Sequence, residues 1–343
     1  AFHDDFILEV VKEGVDDPAN ARYSPFDGKP RFLKAAQAWY RNTYDVDLDW
    51  KTQLFAVEGA VDGLAALFAV LVSPGDAVAY ADPYYPSYHC MTVMGRAEEI
   101  LLPSLPERGF LPDLDAVPAD TWDRVKVLIL NYPNNPTGAQ APRGFLERAI
   151  ELAREHRFAI VQDFAYAGLG VREQQISILS LPGAFDVAVE VCSLSKMYAM
   201  AGWRAGFIAG NSDIVSHVKQ YHYQMGSMIT GSVQDAGAAA LESDQSCVHE
   251  LAERYALRRK IVAGGLRELG LDVFDSDGGI YAWVHAPEGL NGEQFADLLL
   301  ERAAVAALPG TCFGTVGVDY VRFSLLKSED LLREAVRRVG RVL

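Results

Sequence analysis

The run Val187-Ala188-Val189-Glu190-Val191-Cys192-Ser193-Leu194-Ser195-Lys196, with Ala201-Gly202-Trp203-Arg204-Ala205-Gly206 just downstream, decides how this chain is read. Val187–Cys192 is short, mostly apolar and followed by polar residues, which predicts a buried strand. Ser193, Ser195 and Lys196 then fall at the carboxyl end of that strand, where open α/β sheets place their ligands. Two hydroxyls, a lysine and the nearby Arg204 can hold a phosphate and offer an amine for imine chemistry. Taken alone, a loop lysine beside a surface arginine is the ordinary reading. The neighbouring strand ends change that balance.

Working outward, the apolar run Ala159–Gln162 leads into Asp163-Phe164-Ala165-Tyr166. A carboxylate there can pair with a protonated ring nitrogen and keep the ring electron-withdrawing, with the Tyr166 hydroxyl close by. Val125–Leu130 leads into Asn131-Tyr132-Pro133-Asn134-Asn135-Pro136-Thr137-Gly138, where an asparagine before proline is pushed out of the helical region and can aim its amide. Glu58-Gly59-Ala60-Val61 opens a helical pattern, and a helix N-terminus after glycine presents backbone N–H groups to a phosphate. Ala77–Tyr80 leads into Asp82-Pro83-Tyr84-Tyr85-Pro86, which offers an aromatic ring to stack on a flat ligand. Each piece has a plainer reading as a cap, a turn or a packed tyrosine. Together they supply four strand ends and a helix start, each with one component of a site for a flat, phosphorylated, imine-forming ring.

Between the strands, which include Gly206–Ala209, helical patterns run over Leu33–Tyr44, Ala60–Val72 and Pro142–His156. Apolar strands alternating with helices predict an α/β fold with a mostly parallel central sheet covered on both faces. From about Ser243 the pattern changes to a long helix (Cys247–Leu269), an alternating strand from Gly278 to Trp283, a helix (Glu293–Ala303), a Pro309-Gly310 turn, a strand (Tyr320–Ser324) and a final helix. That mix predicts a smaller α+β domain over residues 246–343, after a large ligand-binding domain over 1–245. The net charge of -15 across 343 residues opposes a nucleic-acid or anionic-membrane partner. Ala1–Val10 has no basic start and apolar core of a leader, and Leu64–Val72 is too short to span a bilayer. Cys90, Cys192, Cys247 and Cys312 are scattered, so neither a disulfide framework nor a metal site is expected, and a cytoplasmic location fits.

In their order these motifs resemble the fold-type-I pyridoxal-phosphate (PLP) enzymes of aminotransferase class I/II. Within that class Gln162-Asp163-Phe164-Ala165-Tyr166-Ala167, Leu181-Pro182-Gly183-Ala184-Phe185-Asp186-Val187 and Ser193-Leu194-Ser195-Lys196 are most similar to the alanine aminotransferase and LL-diaminopimelate aminotransferase branch. The likeness runs from Tyr23 to about Ser324. It implies that Lys196 forms the internal aldimine and moves the proton at the substrate's Cα. It implies that Asp163 pairs with the pyridine nitrogen, that Asn135 and Tyr166 bond the phenolic oxygen, and that Tyr85 stacks on the ring. Ser193, Ser195, Arg204 and the backbone around Gly59, Ala60 and Val61 would hold the phosphate. Tyr23, in Tyr23-Ser24-Pro25-Phe26-Asp27-Gly28, matches the tyrosine that reaches the phosphate of a neighbouring subunit, which implies a homodimer with shared active sites. Arg322, in Val321-Arg322-Phe323-Ser324, matches the arginine that clamps the substrate carboxylate, with Asn135 beside it. The implied reaction moves an amino group between an L-amino acid and a 2-oxo acid.

Two features depart from the family pattern, and a third stretch is unusual. The segment that covers the substrate mouth, ahead of the helix matching Phe6–Glu13, is not in this sequence. Ala60 and Val61 replace polar side chains at the phosphate, which leaves backbone contacts there. Tyr221-His222-Tyr223-Gln224-Met225 is unusual and reads either as a pocket lining or as a packed helix face. Rival readings are a PLP enzyme of elimination, cyclisation or oxidation on the same scaffold, and the effector-sensing domain of a PLP-type transcription regulator, which would need a basic DNA-binding domain ahead of it. A NAD-linked Rossmann enzyme fails, because no GxGxxG follows a strand.

Overall fold

A computed structural model of the chain describes residues 5–171, 175–225 and 228–343; the first four residues of the Ala1–Val10 stretch lie outside these. The main sheet has seven strands: β1 (Leu54–Val57), β2 (Ala77–Asp82), β3 (Glu98–Pro103), β4 (Val125–Leu130), β5 (Ala159–Phe164), β6 (Ala188–Ser193) and β7 (Gly206–Gly210). Their spatial order is β1-β7-β6-β5-β4-β2-β3. From β3 across to β6 every pair is parallel, whereas β7 is antiparallel to both β6 and β1. Strands β4 to β7 are almost wholly buried, as expected of a sheet covered on both faces.

Two strands of this sheet were not anticipated. Leu54–Val57 is apolar and buried but only four residues long and lies just ahead of the Glu58-Gly59 helix start, and Glu98–Pro103 is an edge strand whose apolar stretch is preceded by two glutamates. Strand β6 begins one residue later than predicted, because Ala184–Val187 closes a helical turn before the sheet begins. Strand β5 is longer than predicted. Its pairing continues through Asp163↔Val191 and Phe164↔Cys192, so Asp163 is a strand residue rather than the first residue beyond one.

The antiparallel β7 sets the layout of the site. Residues 194–205 fold back at the end of β6, so that Ser193 pairs with Gly206 and Gly206 in turn with Val57. The end of β1, the end of β6 and the start of β7 therefore lie at one edge of the sheet. Gly206 has to be bare there, since an added Cβ would sit 2.5 Å from Cys192 O.

A second sheet, ordered β8-β10-β9, comprises β8 (Tyr281–His285), β9 (Leu308–Pro309) and β10 (Tyr320–Ser324). Here β8 starts three residues after Gly278, because Gly278 is taken up by an isolated bridge to Gly170. Helices Ser246–Glu268, Gly292–Ala303 and Glu329–Val339 pack on this sheet around Leu266, Val284, Phe295, Leu299 and Val321. The Tyr221–Met225 tract lies at the end of helix Ser212–Met225, where His222 is buried against Phe55 and Tyr223 is exposed beside Phe26. Gln224 and Met225 are exposed as well, so His222 is the one buried residue of the tract, with Tyr221 partly buried. No described helix is long and apolar enough to cross a membrane.

Candidate active site

A cavity of about 240 Å³ opens where the carboxyl ends of the main sheet meet the second sheet. Of the predicted residues, Ala60, Val61, Tyr85, Asn135, Asp163, Tyr166, Ser193, Ser195, Lys196, Arg204 and Arg322 all line it. Gly59 stands directly behind Ala60 as the N-cap of helix Ala60–Leu71. Tyr23 does not line it; that side chain is 90% exposed.

Asp163 is 4% exposed. Its Oδ2 accepts from the Tyr88 hydroxyl at 2.6 Å and its Oδ1 from the Ala165 amide at 3.2 Å. Burial disfavours the charge and pushes this carboxyl up to about 6, while those two donors pull the other way. Asn131 at the end of β4 ties the neighbouring strands together: its Nδ2 donates to Asp163 O at 2.9 Å, and its Oδ1 accepts from the Asn135 amide at 2.9 Å. Asn135 is thereby held with its Nδ2 donating to Tyr166 Oη at 3.2 Å and its Oδ1 accepting from Arg322 Nη1 at 2.6 Å. Burial pushes the Tyr166 hydroxyl well up from its ordinary value, with Tyr281 as the next cause.

Arg322 reaches the cavity from β10. Its guanidinium carbon lies 3.9 Å from the centroid of the Tyr281 ring and 4.6 Å from that of Phe313, so the cation lies against both rings. Burial lowers its pKa from the usual arginine value. Its Nε is buried without a described partner. A cation desolvated to this degree and short of one acceptor suits an incoming carboxylate.

Arg204, which also lines the cavity, donates to Ala201 O and Glu58 O, each at 3.1 Å, and to no described carboxylate. Gly59 has φ +89°, and an added Cβ would lie 2.6 Å from Arg204 Nη2. The helix N-terminus is thus free to receive an anion beside the guanidinium. Ser193 Oγ accepts from the Ser195 amide at 3.2 Å. Lys196 lines the same cavity, half-buried, and no described hydrogen bond or ion pair engages its amine. Cation and helix end for a phosphate, a buried carboxylate for a ring nitrogen, a tyrosine wall and a free amine make a donor set that fits PLP.

Sequence reasoning missed Tyr88, Asn131 as a tie, Tyr281 and Phe313. Tyr281 lies within a strand that was recognised, and Tyr88 follows the Tyr84-Tyr85-Pro86 turn. Their roles depend on partners far along the chain, and no local signal names those.

Such a site on such a sheet defines a PLP-dependent enzyme of the fold-type-I class. Residues 3–339 match the family aminotransferase class I and II, to which this chain belongs. It is an aminotransferase, exchanging an amino group between amino acids and 2-oxo acids with PLP as cofactor. It is 41% identical to the L-glutamine–4-(methylsulfanyl)-2-oxobutanoate aminotransferase of Bacillus subtilis, over 98% of this chain and 85% of that protein. It is 38% identical to the LL-diaminopimelate aminotransferase of Syntrophobacter fumaroxidans, over 98% of this chain and 87% of that one. Among solved structures, substrate-bound BacF from Bacillus subtilis superposes with a TM-score of 0.96 at 34% identity, covering 99% of this chain and 87% of that one. A double mutant of Thermus thermophilus aspartate aminotransferase gives 0.92 at 30% identity, covering all of this chain and 89% of that one. The relatives' names favour amino transfer over elimination, cyclisation or oxidation.

Proposed function

We propose that the cavity is the transamination site and that its residues divide the work as follows. Lys196 would supply the amine that holds the cofactor and would carry the proton to and from the substrate's Cα. Asp163 holds the proton on the ring nitrogen. Asn135 and Tyr166 donate to the phenolic oxygen. Tyr85 covers one face of the ring, and Ser193, Ser195, Arg204 and the backbone of Gly59, Ala60 and Val61 hold the phosphate. The bound cofactor supplies an electron-withdrawing ring that stabilises the negative charge developing at Cα. Arg322, with Asn135 behind it, grips the substrate carboxylate and so sets which Cα bond faces the ring. The observation that carries this reading is a half-buried, unengaged amine at Lys196 lining one cavity with a phosphate-type cradle and a buried carboxylate.

The same reading makes the enzyme a cytoplasmic homodimer in which the exposed Tyr23 of each subunit reaches the other's phosphate. It also divides the chain into a large unit (1–245) and a small one (246–343). Support for the division comes from two separate sheets, and from the start of helix Ser246–Glu268 at that boundary.

Borohydride reduction of the PLP-loaded protein, followed by peptide mass mapping, is expected to place the added mass on the peptide containing Lys196. An adduct on another lysine, or none, would overturn the assignment. Arg322→Lys is expected to raise KM for the amino acid by about 10- to 100-fold with a smaller change in kcat, because a lysine loses both the two-pronged grip and the stacking on Tyr281 and Phe313. Steady-state kinetics with one amino donor decides it. An unchanged KM counts against the clamp.

A further inference from the structure

Asp82 is the last residue of β2, lies on the main sheet, and is 2% exposed, yet nothing in the transamination scheme uses it. Its side-chain partners come from the loop that precedes β10. Oδ2 accepts from the Thr315 amide at 3.1 Å and from Thr315 Oγ1 at 2.6 Å, and the Val316 amide points at both oxygens at 3.3 and 3.4 Å. Next along the chain, the Tyr84 amide donates to Phe313 O at 2.8 Å. Gly314 allows this approach. Its φ is +120°, and an added Cβ would collide with Asp82 Oδ1 and lie 2.9 Å from the Tyr84 ring. A buried carboxylate closing on two amides and a hydroxyl is a strong, directional contact.

That contact ends at the reaction site on both sides. Tyr85, one residue beyond Tyr84, lines the cavity. Phe313, one residue before Gly314, is 1% exposed, and its ring lies against the Arg322 guanidinium. Asp82 therefore fixes the loop of the second sheet, and with it one of the two rings that hold Arg322, relative to the tyrosine wall of the first.

We propose that Asp82 is a positioning residue for substrate-carboxylate recognition, acting through the 313–316 loop and Phe313 on Arg322. The proposal rests on the reading of Arg322 as the carboxylate clamp. Its loss should weaken selection for the carboxylate and leave the reacting groups in place.

The test compares an amino acid with the amine that lacks only its α-carboxylate, as the ratio of their rate constants for converting the PLP form, in wild type, Asp82→Ala, Asp82→Asn and Arg322→Ala. Wild type is expected to favour the amino acid strongly, and Arg322→Ala to abolish most of that preference. Asp82→Ala is expected to lower the preference about tenfold, with the amine's own rate within about threefold of wild type. Asp82→Asn keeps one acceptor oxygen and should recover part of the difference. If Asp82→Ala does not fold, Thr315→Val, which removes only the hydroxyl donor, is expected to lower the preference about threefold. A preference unchanged in Asp82→Ala, or in Thr315→Val in its place, overturns the proposal. So does a fall in both rates by the same factor, which marks a general structural role. If Arg322→Ala leaves the preference intact, the clamp reading itself has failed, an outcome distinct from failure at Asp82.

Discussion

Lys196→Ala is expected to lower kcat by about 10⁴-fold or more while the protein stays folded and still binds PLP. The size follows from two losses at one atom: the covalent attachment of the cofactor, and the base that moves the Cα proton, itself worth about 10²- to 10⁴-fold. Stability should change little. The amine has no described partner, and the side chain is only half-buried in a short helical turn, so truncation leaves neither an orphaned charge nor a large cavity. Non-covalent binding should persist through Arg204, the helix end at Ala60 and the Asp163 carboxylate, which do not depend on the lysine. Single-turnover mixing of the PLP-loaded variant with an amino acid, alongside thermal melts, separates the two effects. A variant within tenfold of wild type would rule Lys196 out as the base.

Asp163→Asn is expected to be worse as an enzyme and better as a cofactor-free fold. In the folded protein without PLP this carboxyl sits at about 6, against an ordinary value of 3.8, and burial is the cause. A raised acid pKa means that the fold favours the neutral form. The stability it contributes is fully present below about pH 4 and is lost as pH rises through about 6. Above that, keeping the charge buried costs up to about 3 kcal/mol, at roughly 1.4 kcal/mol for each tenfold change in proton affinity. Asparagine is neutral throughout, and its amide can still exchange hydrogen bonds with the Tyr88 hydroxyl and the Ala165 amide. The variant without cofactor should therefore melt higher than wild type at pH 8, with the gap narrowing below about pH 6 and closing near pH 4. With PLP the sign reverses, because the carboxylate then faces a cationic ring nitrogen whose proton asparagine cannot hold. A fall in kcat of about 10²- to 10⁴-fold is expected. Melts across that pH range, without cofactor, check the first half; a wild type that is the more stable at pH 8 would contradict it.

Local signals in the sequence were enough to assemble most of the site. Strands β4 and β5 could be found because buried parallel strands must be apolar on both faces, and the residues that follow such strands face the ligand. Hence Asn135, Asp163, Tyr166, Ser193, Ser195 and Lys196 were candidates by their place at or near strand ends, the family resemblance gave each its expected role, and all six line one cavity. The direction of β7 was out of reach by the same route, because an apolar strand looks alike whichever way it runs. The short β1 and the edge strand β3, which opens on two glutamates, were passed over for the same reason that makes short apolar runs ambiguous: four apolar residues fit a strand or the start of a helix equally well.

The chain sequence by itself determined which chemical groups are available and at which strand ends they stand, because alternation of apolar strands and helices fixes that order before any long-range contact forms. Only the tertiary structure decided how those groups are tuned. Tyr88 caps a carboxylate 75 residues away, Arg322 bonds Asn135 from 187 residues further along, and Asp82 grips a loop more than 230 residues downstream. The first depends on how helix Ser87–Met94 packs across the main sheet and the other two on how the second sheet packs against it, and that packing also removes the water that would otherwise level their charges.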